Sequence, residues 1–207
     1  MAILGAVIVP HPPLIISTVG HGREQEVQST IDAYRAATKQ AAAWNPEVLI
    51  ITSPHQIMYS DYFHISPGRG ATGDMAAFGA SETKLRVEYD AQLRDEIIRC
   101  GESAGLQVGT LGQRDPYLDH GTFVPLYFLR EAGVDCPILC IGLSGFSPLD
   151  HYRLGQCIAQ AVENLGRRAV FIASGDLSHK LKDDGPYGFA PEGPEFDRQI
   201  TGAMAEG

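Results

Sequence analysis

No apolar run in this chain approaches the roughly 20 residues needed to cross a bilayer, and no basic residue precedes the apolar opening Ala2 to Val9. A secretory leader would begin with positive charge and end at a small-residue cleavage site. This opening runs instead into Pro10-His11-Pro12-Pro13, so it reads as a first strand, and the expected location is cytoplasmic. Basic charge is scarce: 16 Lys and Arg stand against 25 Asp and Glu, a formal net charge of −9. Such a surface repels phosphate backbones, so neither nucleic acid nor a membrane is an expected partner. Cysteine is sparse as well, at Cys100, Cys136, Cys140 and Cys157. Cys136 and Cys140 bracket a segment that reads as a buried strand, a poor arrangement for a shared metal. All four read as buried free thiols of a reducing compartment.

Several catalytic signatures are missing. There is no His-Glu-x-x-His helix, no serine nucleophile elbow and no dinucleotide fingerprint. Gly68 to Gly73 is glycine-rich but lacks the Lys-Ser/Thr that completes a P-loop, and it reads better as a flexible lid over a pocket.

What is present is an alternation of apolar strands and amphipathic helices. Strands are expected at Ala2 to Val9, Glu47 to Thr52, Leu106 to Leu111, Pro137 to Leu143 and Arg168 to Ser174, with a short one at Tyr62 to Ser66. Helices are expected over Arg23 to Trp44, Tyr89 to Ala104, Thr122 to Ala132, Leu149 to Leu165 and, after a loop from Lys180 to Pro194, Glu195 to Ala205. Pro67 to Ala80, with four glycines, reads as a loop. This order predicts an α/β fold, a three-layer sandwich whose central, mostly parallel or mixed sheet is flanked by helices. The 207 residues suit one domain, residues 1–207. The chain stops at Ala205-Glu206-Gly207 inside a helical pattern with no closing strand, so truncation at the C-terminus is a further expectation.

Ligand sites of open α/β sheets lie at the carboxyl ends of strands, and three of the seven histidines fall there. His11 follows the first strand, His55 follows the second in Ser53-Pro54-His55, and His179 follows the last in Ser174-Gly175-Asp176-Leu177-Ser178-His179. His120 joins them in Asp119-His120-Gly121, just before a helix. One histidine at a strand end is usually a hydrogen-bonded structural residue. Three, with a fourth nearby, favour a metal or catalytic site, and the prolines beside His11 and His55 fix the backbones that carry them. Neutral imidazoles bind Fe(II), Zn or Mn, and histidines near such a metal can exchange protons near neutral pH. Asp119 and Asp176 precede motif histidines closely and either orient those rings or cap turns. His21 lies in a glycine loop without a specific signal, His64 alternates along a short strand and is free to face solvent, and His151 opens a helix as a cap or surface residue.

Taken in order, Pro-His-Pro-Pro, Ser-Pro-His, Asp-His-Gly and Ser-Gly-Asp-Leu-Ser-His resemble the motifs of the LigB-like class III extradiol ring-cleavage dioxygenases. The resemblance runs from His11 to the loop after His179. It is nearest to the branch fused to, or encoded with, AMMECR-type and radical-SAM proteins, which includes the Memo-like proteins. It implies that His11 and His55 ligate Fe(II), that His179 is the base deprotonating a catechol, and that His120 contacts substrate or oxygen and donates a proton. Its implied partners are a small aromatic substrate and O₂, a second copy in a homodimer, and a fused or associated AMMECR-type domain. The family's third ligand is a downstream glutamate, or a cysteine in Memo-like relatives. This sequence has no cysteine after Cys157, and Glu192, Glu195, Asp197 and Glu206 stand in no matching motif. The alternatives are a Zn-dependent hydrolase, with a zinc-bound water as nucleophile, and a Memo-like metal-binding or scaffold protein.

Overall fold

A computed structural model of the chain describes residues 2–114 and 116–206. The chain divides into two compact units, 1–174 and 175–207.

The first unit is organised by four parallel strands. These are β1 (Ile3–Val9), β2 (Val48–Ser53), β7 (Ile138–Gly142) and β8 (Ala169–Ser174), in the order β1-β8-β2-β7. The sequences Val-Leu-Ile-Ile and Ile-Leu-Cys-Ile are apolar without alternation because both faces of these strands are covered by helices. Val48, Ile50, Ile138 and Val170 are completely buried, and burial of each such side chain stabilises by about 1.5–3 kcal/mol. Around the sheet lie α2 (Gln28–Ala43), α3 (Ala91–Ser103), α4 (His120–Glu131) and α5 (Pro148–Asn164), after a single turn, α1, at Ser17–Gly20. Helix α2 packs on β1 and α4, and α3 packs on α5. The architecture is the expected three-layer α/β sandwich.

Registry places the functional ends together. Val9 pairs with Ser174, Thr52 with Ala173 and Ser53 with Gly142. Strands β1, β8 and β2 therefore finish at one level, and the residues that follow them emerge side by side.

Three expectations are corrected. The segment read as a glycine-rich loop and lid is half of an antiparallel hairpin, β4 (Gly70–Met75) with β5 (Ala80–Glu88). Its glycines permit close packing: a Cβ at Gly70 would overlap the Val87 carbonyl, and one at Gly73 would press on Leu118 and Phe123. The long helix expected from Arg23 begins as a 3₁₀ segment, Arg23–Val27, before α2 proper starts at Gln28. His64 does not face solvent. The strand β3 that carries it is only Phe63–His64, paired with β6 (Val108–Gly109), and His64 is 3% exposed.

The second unit carries a loop closed by a bridge between Leu181 and Phe189, then α6 (Glu192–Glu206). No helix among the described residues is long and apolar enough to cross a membrane.

Candidate metal centre

His11 leaves β1 two residues past Val9, and His55 leaves β2 two residues past Ser53, on either side of β8. His120 is the first residue of α4, whose amino end reaches the same level. Their rings converge: centroids lie 4.9 Å apart for His11 and His55, 5.4 Å for His11 and His120, and 4.0 Å for His55 and His120. One ring nitrogen from each falls in a set whose members all lie within 4.8 Å of one another. His11 is buried, His120 is half-buried and His55 is exposed.

The His11 ring is held by a chain of hydrogen bonds. Ser174 Oγ lies 2.5 Å from the Gly121 carbonyl and 2.9 Å from His11 Nδ1. A carbonyl only accepts, so the single hydroxyl proton goes to Gly121, and the Ser174 oxygen must accept from His11 Nδ1–H. That places the lone pair of His11 on Nε2, which sits 3.1 Å from His55 Nε2. Orienting an imidazole through its other N–H is the usual support of a metal ligand. The Gly121 carbonyl is open to Ser174 because Pro125, four residues on in α4, has no N–H to bond it.

Asp119 ties the other two elements together. Its carboxylate accepts from the Thr122 amide at 3.0 Å and the Thr122 hydroxyl at 2.7 Å, capping α4, and from Ser53 Oγ at 2.6 Å. Ser53 Oγ in turn accepts from the His55 amide at 3.1 Å. Gly121 is pressed into this junction, where a Cβ would overlap Ser53 Oγ and crowd His55 and Asp119. At the outer side Phe78, from the turn of the β4–β5 hairpin, sets its ring 5.4 Å from His120.

The donor set suits a cation. Two nitrogens each about 2.1 Å from a metal and at right angles around it stand roughly 3.0 Å apart, close to the 3.1 Å between His11 and His55. Among the described residues, the group of side chains able to hold a metal is His11, His55 and His120.

A family model described as the catalytic LigB subunit of aromatic ring-opening dioxygenase matches residues 5–207. The chain belongs to this family. It is 34% identical over 214 residues to Protein CA_C1420 of Clostridium acetobutylicum, which aligns with all of this chain and 46% of that protein. It is 28% identical over 198 residues to the 2-aminophenol 1,6-dioxygenase beta subunit of a Pseudomonas species, covering 86% of this chain and 63% of the relative. It is 27% identical over 169 residues to an Escherichia coli 2,3-dihydroxyphenylpropionate/2,3-dihydroxicinnamic acid 1,2-dioxygenase, covering 75% of this chain and 51% of that enzyme. The LigB chain here thus spans about half to two thirds of the length of these curated relatives. Among solved structures, an uncharacterized protein of Escherichia coli K12, JW3007, superimposes with a TM-score of 0.52 at 16% identity, over 81% of this chain and 64% of that one. That likeness bears on the fold.

Within the LigB chain, the structure brings three of the four motif histidines into one cluster. His179 belongs to the second unit, where its Nε2 lies 3.3 Å from Asp176 Oδ2 and its ring 4.7 Å from that of Tyr187. Two of the four acidic residues that follow His179 have local partners there. Glu195 pairs with Arg198, which holds its carboxyl below the usual range, and Asp197 accepts from the Ser178 amide. Sequence reasoning missed Ser53, Ser174 and Pro125. Each serine closes a strand whose following loop bears a motif histidine, and that position was the available signal.

Proposed function

We propose that this chain is a non-haem Fe(II)-dependent, extradiol ring-cleavage dioxygenase-like protein acting on a catechol-type small molecule. The observation that carries the reading is the convergence of His11, His55 and His120 at the carboxyl end of the sheet, in a chain of the LigB family. His11 and His55 would hold the iron, and His120 stands close enough to complete the set or to face the substrate. Bound Fe(II) would supply adjacent open positions at which a catecholate and O₂ meet.

The chain's own residues supply the rest. The hydrogen-bonded sequence Gly121, Ser174, His11 presents the Nε2 lone pair to the metal and keeps the proton on Nδ1. Asp119 holds Ser53 and the head of α4 in one frame, which fixes where His55 and His120 leave their elements. By the family resemblance His179 would be the base that removes a catechol proton, and Asp176, 3.3 Å from its Nε2, would orient its ring. His120 would be either a third donor to the metal or the acid that returns a proton to the opened product. Phe78 offers an aromatic wall beside His120 against which a substrate ring can pack.

A second reading has one specific support. The clostridial relative is more than twice the length matched here, and its name states no activity. In that reading the chain is a Memo-like metal-binding or scaffold protein of a radical-SAM-associated modification system.

Anaerobic Fe(II) titration of the protein and of His11→Ala, followed by O₂ uptake with a panel of catechols, separates the two. Tight binding lost in His11→Ala, with a yellow ring-opened product, is the expected result. Tight binding without O₂ uptake on any catechol would favour the second reading, and no binding to either protein would remove both.

A further inference from the structure

Sharing His55 with the metal centre is a compact cavity of about 50 Å³ whose lining includes His55, His64, Ser66, Tyr89, Thr122 and Cys140. Most of its polar groups have partners. Thr122 Oγ1 donates to Asp119 and accepts from Gln56 Nε2 at 2.9 Å. The Cys140 sulfur is hydrogen-bonded by Tyr89 and Ser66, and burial pushes its thiol up to about 12, so it stays protonated.

His64 is the exception. Its Nε2 is fully buried and has no hydrogen-bond partner. The other side of the ring faces the Gln113 backbone, where the ring proton has an acceptor. The free nitrogen is therefore a lone-pair acceptor. Burial holds the ring below the ordinary histidine value, so it is neutral at pH 7 and cannot become a donor there. An unsatisfied acceptor in such a place is destabilising, and a ligand that donates to it recovers that loss.

We infer that this cavity is a subsite for a small hydrogen-bond-donating group, a hydroxyl or amino substituent on the aromatic ring of the substrate, received by His64 Nε2. The inference rests on the reading that the adjacent histidine centre works on an aromatic compound. Size and charge select the group. About 50 Å³ admits a substituent of a few atoms and excludes a second ring. A carboxylate is disfavoured twice, because it brings no proton for His64 and because Asp119 also lines the cavity.

The test is a ¹⁵N-histidine NMR titration of the full chain with phenol, aniline and anisole. No metal is added and no turnover is needed, so the result is separate from the O₂-uptake test of the dioxygenase reading. Phenol and aniline are expected to shift the His64 Nε2 resonance saturably, and anisole, which has no proton to donate, is expected to leave it in place. Phenol binding should weaken about tenfold in His64→Leu, the scale of one hydrogen bond to a buried acceptor, and recover in His64→Gln. Should His64→Leu fail to fold, the wild-type titration alone decides. A resonance that no probe moves, or that anisole moves as far as phenol does, overturns the subsite and leaves a cavity for trapped water. So does phenol binding unchanged in His64→Leu.

Discussion

Pro125 withholds the N–H that would ordinarily close on the Gly121 carbonyl, and Ser174 takes that carbonyl instead, at 2.5 Å. A helix-breaking residue in the middle of α4 thereby sets the tautomer of a histidine in the loop that follows β1. Ser174 has one proton, and spending it on Gly121 obliges its oxygen to accept from His11 Nδ1.

Ser174→Ala should therefore weaken Fe(II) binding about 10- to 100-fold, the usual cost of losing the group that orients a ligating imidazole. The side chain is small and sits at a strand end, so the far-ultraviolet circular dichroism should be unchanged. Anaerobic titration with Fe(II) or Co(II) makes the comparison. Equal affinity in the two proteins would show that His11 is oriented by something other than Ser174.

Pro125→Ala separates stability from binding. Alanine is favoured over proline within a helix by about 3 kcal/mol, so the thermal midpoint should rise. The restored N–H would compete with Ser174 for Gly121, and metal affinity should fall at the same time. A variant gaining in both would break the proposed link between α4 and His11.

The positions of His11 and His55 were legible because proline follows each strand end and marks where the chain must leave the sheet. The sheet itself was legible in the unbroken apolar runs of β2 and β7, which only a doubly covered strand tolerates. The hairpin was not. Gly-Ala-Thr-Gly-Asp-Met carries two glycines and little β propensity, and its order comes from pairing with Ala80–Glu88 and from backbone approaches that need glycine. His64 was misread because two residues of strand give no alternation to count. The hydrogen bonds of Ser53 and Ser174 join strands to α4 across long stretches of sequence, and no local pattern encodes them.

Gly121→Ala and Gly155→Ala make an informative pair. A Cβ at Gly121 would overlap Ser53 Oγ and crowd His55, whereas at Gly155, inside α5, it would meet nothing within 4 Å. Alanine at Gly155 should stabilise by about 0.5–1 kcal/mol through helix propensity alone. At Gly121 it should destabilise by roughly 1–3 kcal/mol, the scale of overpacking. Urea denaturation of both checks the signs. A neutral Gly121→Ala would mean the junction of Ser53, His55 and α4 relaxes freely.

The acid limb of stability should carry a contribution from His64. Burial lowers its folded pKa below the ordinary 6.5, so below that ordinary value the unfolded chain binds a proton that the folded protein does not. Unfolding free energy then falls as pH drops from 6.5 towards the folded pKa. His64→Gln removes the titration and should flatten the limb by up to about 1.4 kcal/mol per pH unit. Denaturation profiles of the two proteins between pH 7 and 5 supply the comparison, and identical slopes would place the acid sensitivity in other groups.

His120 has two roles open to it, and metal binding tells them apart. As a third donor it shares the metal's binding energy, so His120→Ala should lose affinity about as severely as His55→Ala does. As an acid facing substrate it should leave affinity nearly intact and lower turnover. The first role has direct geometric support, since a ring nitrogen of His120 lies within 4.8 Å of those of His11 and His55. Thermal shift adds a readout that needs no substrate: metal at 100 times its dissociation constant stabilises the folded state by about 2.7 kcal/mol. The wild-type protein should show that shift, and His120→Ala should lose it at the same metal concentration. A His120→Ala protein that is stabilised as fully as wild type, yet fails to consume O₂ with a catechol, would assign His120 to proton transfer and leave the metal to His11 and His55.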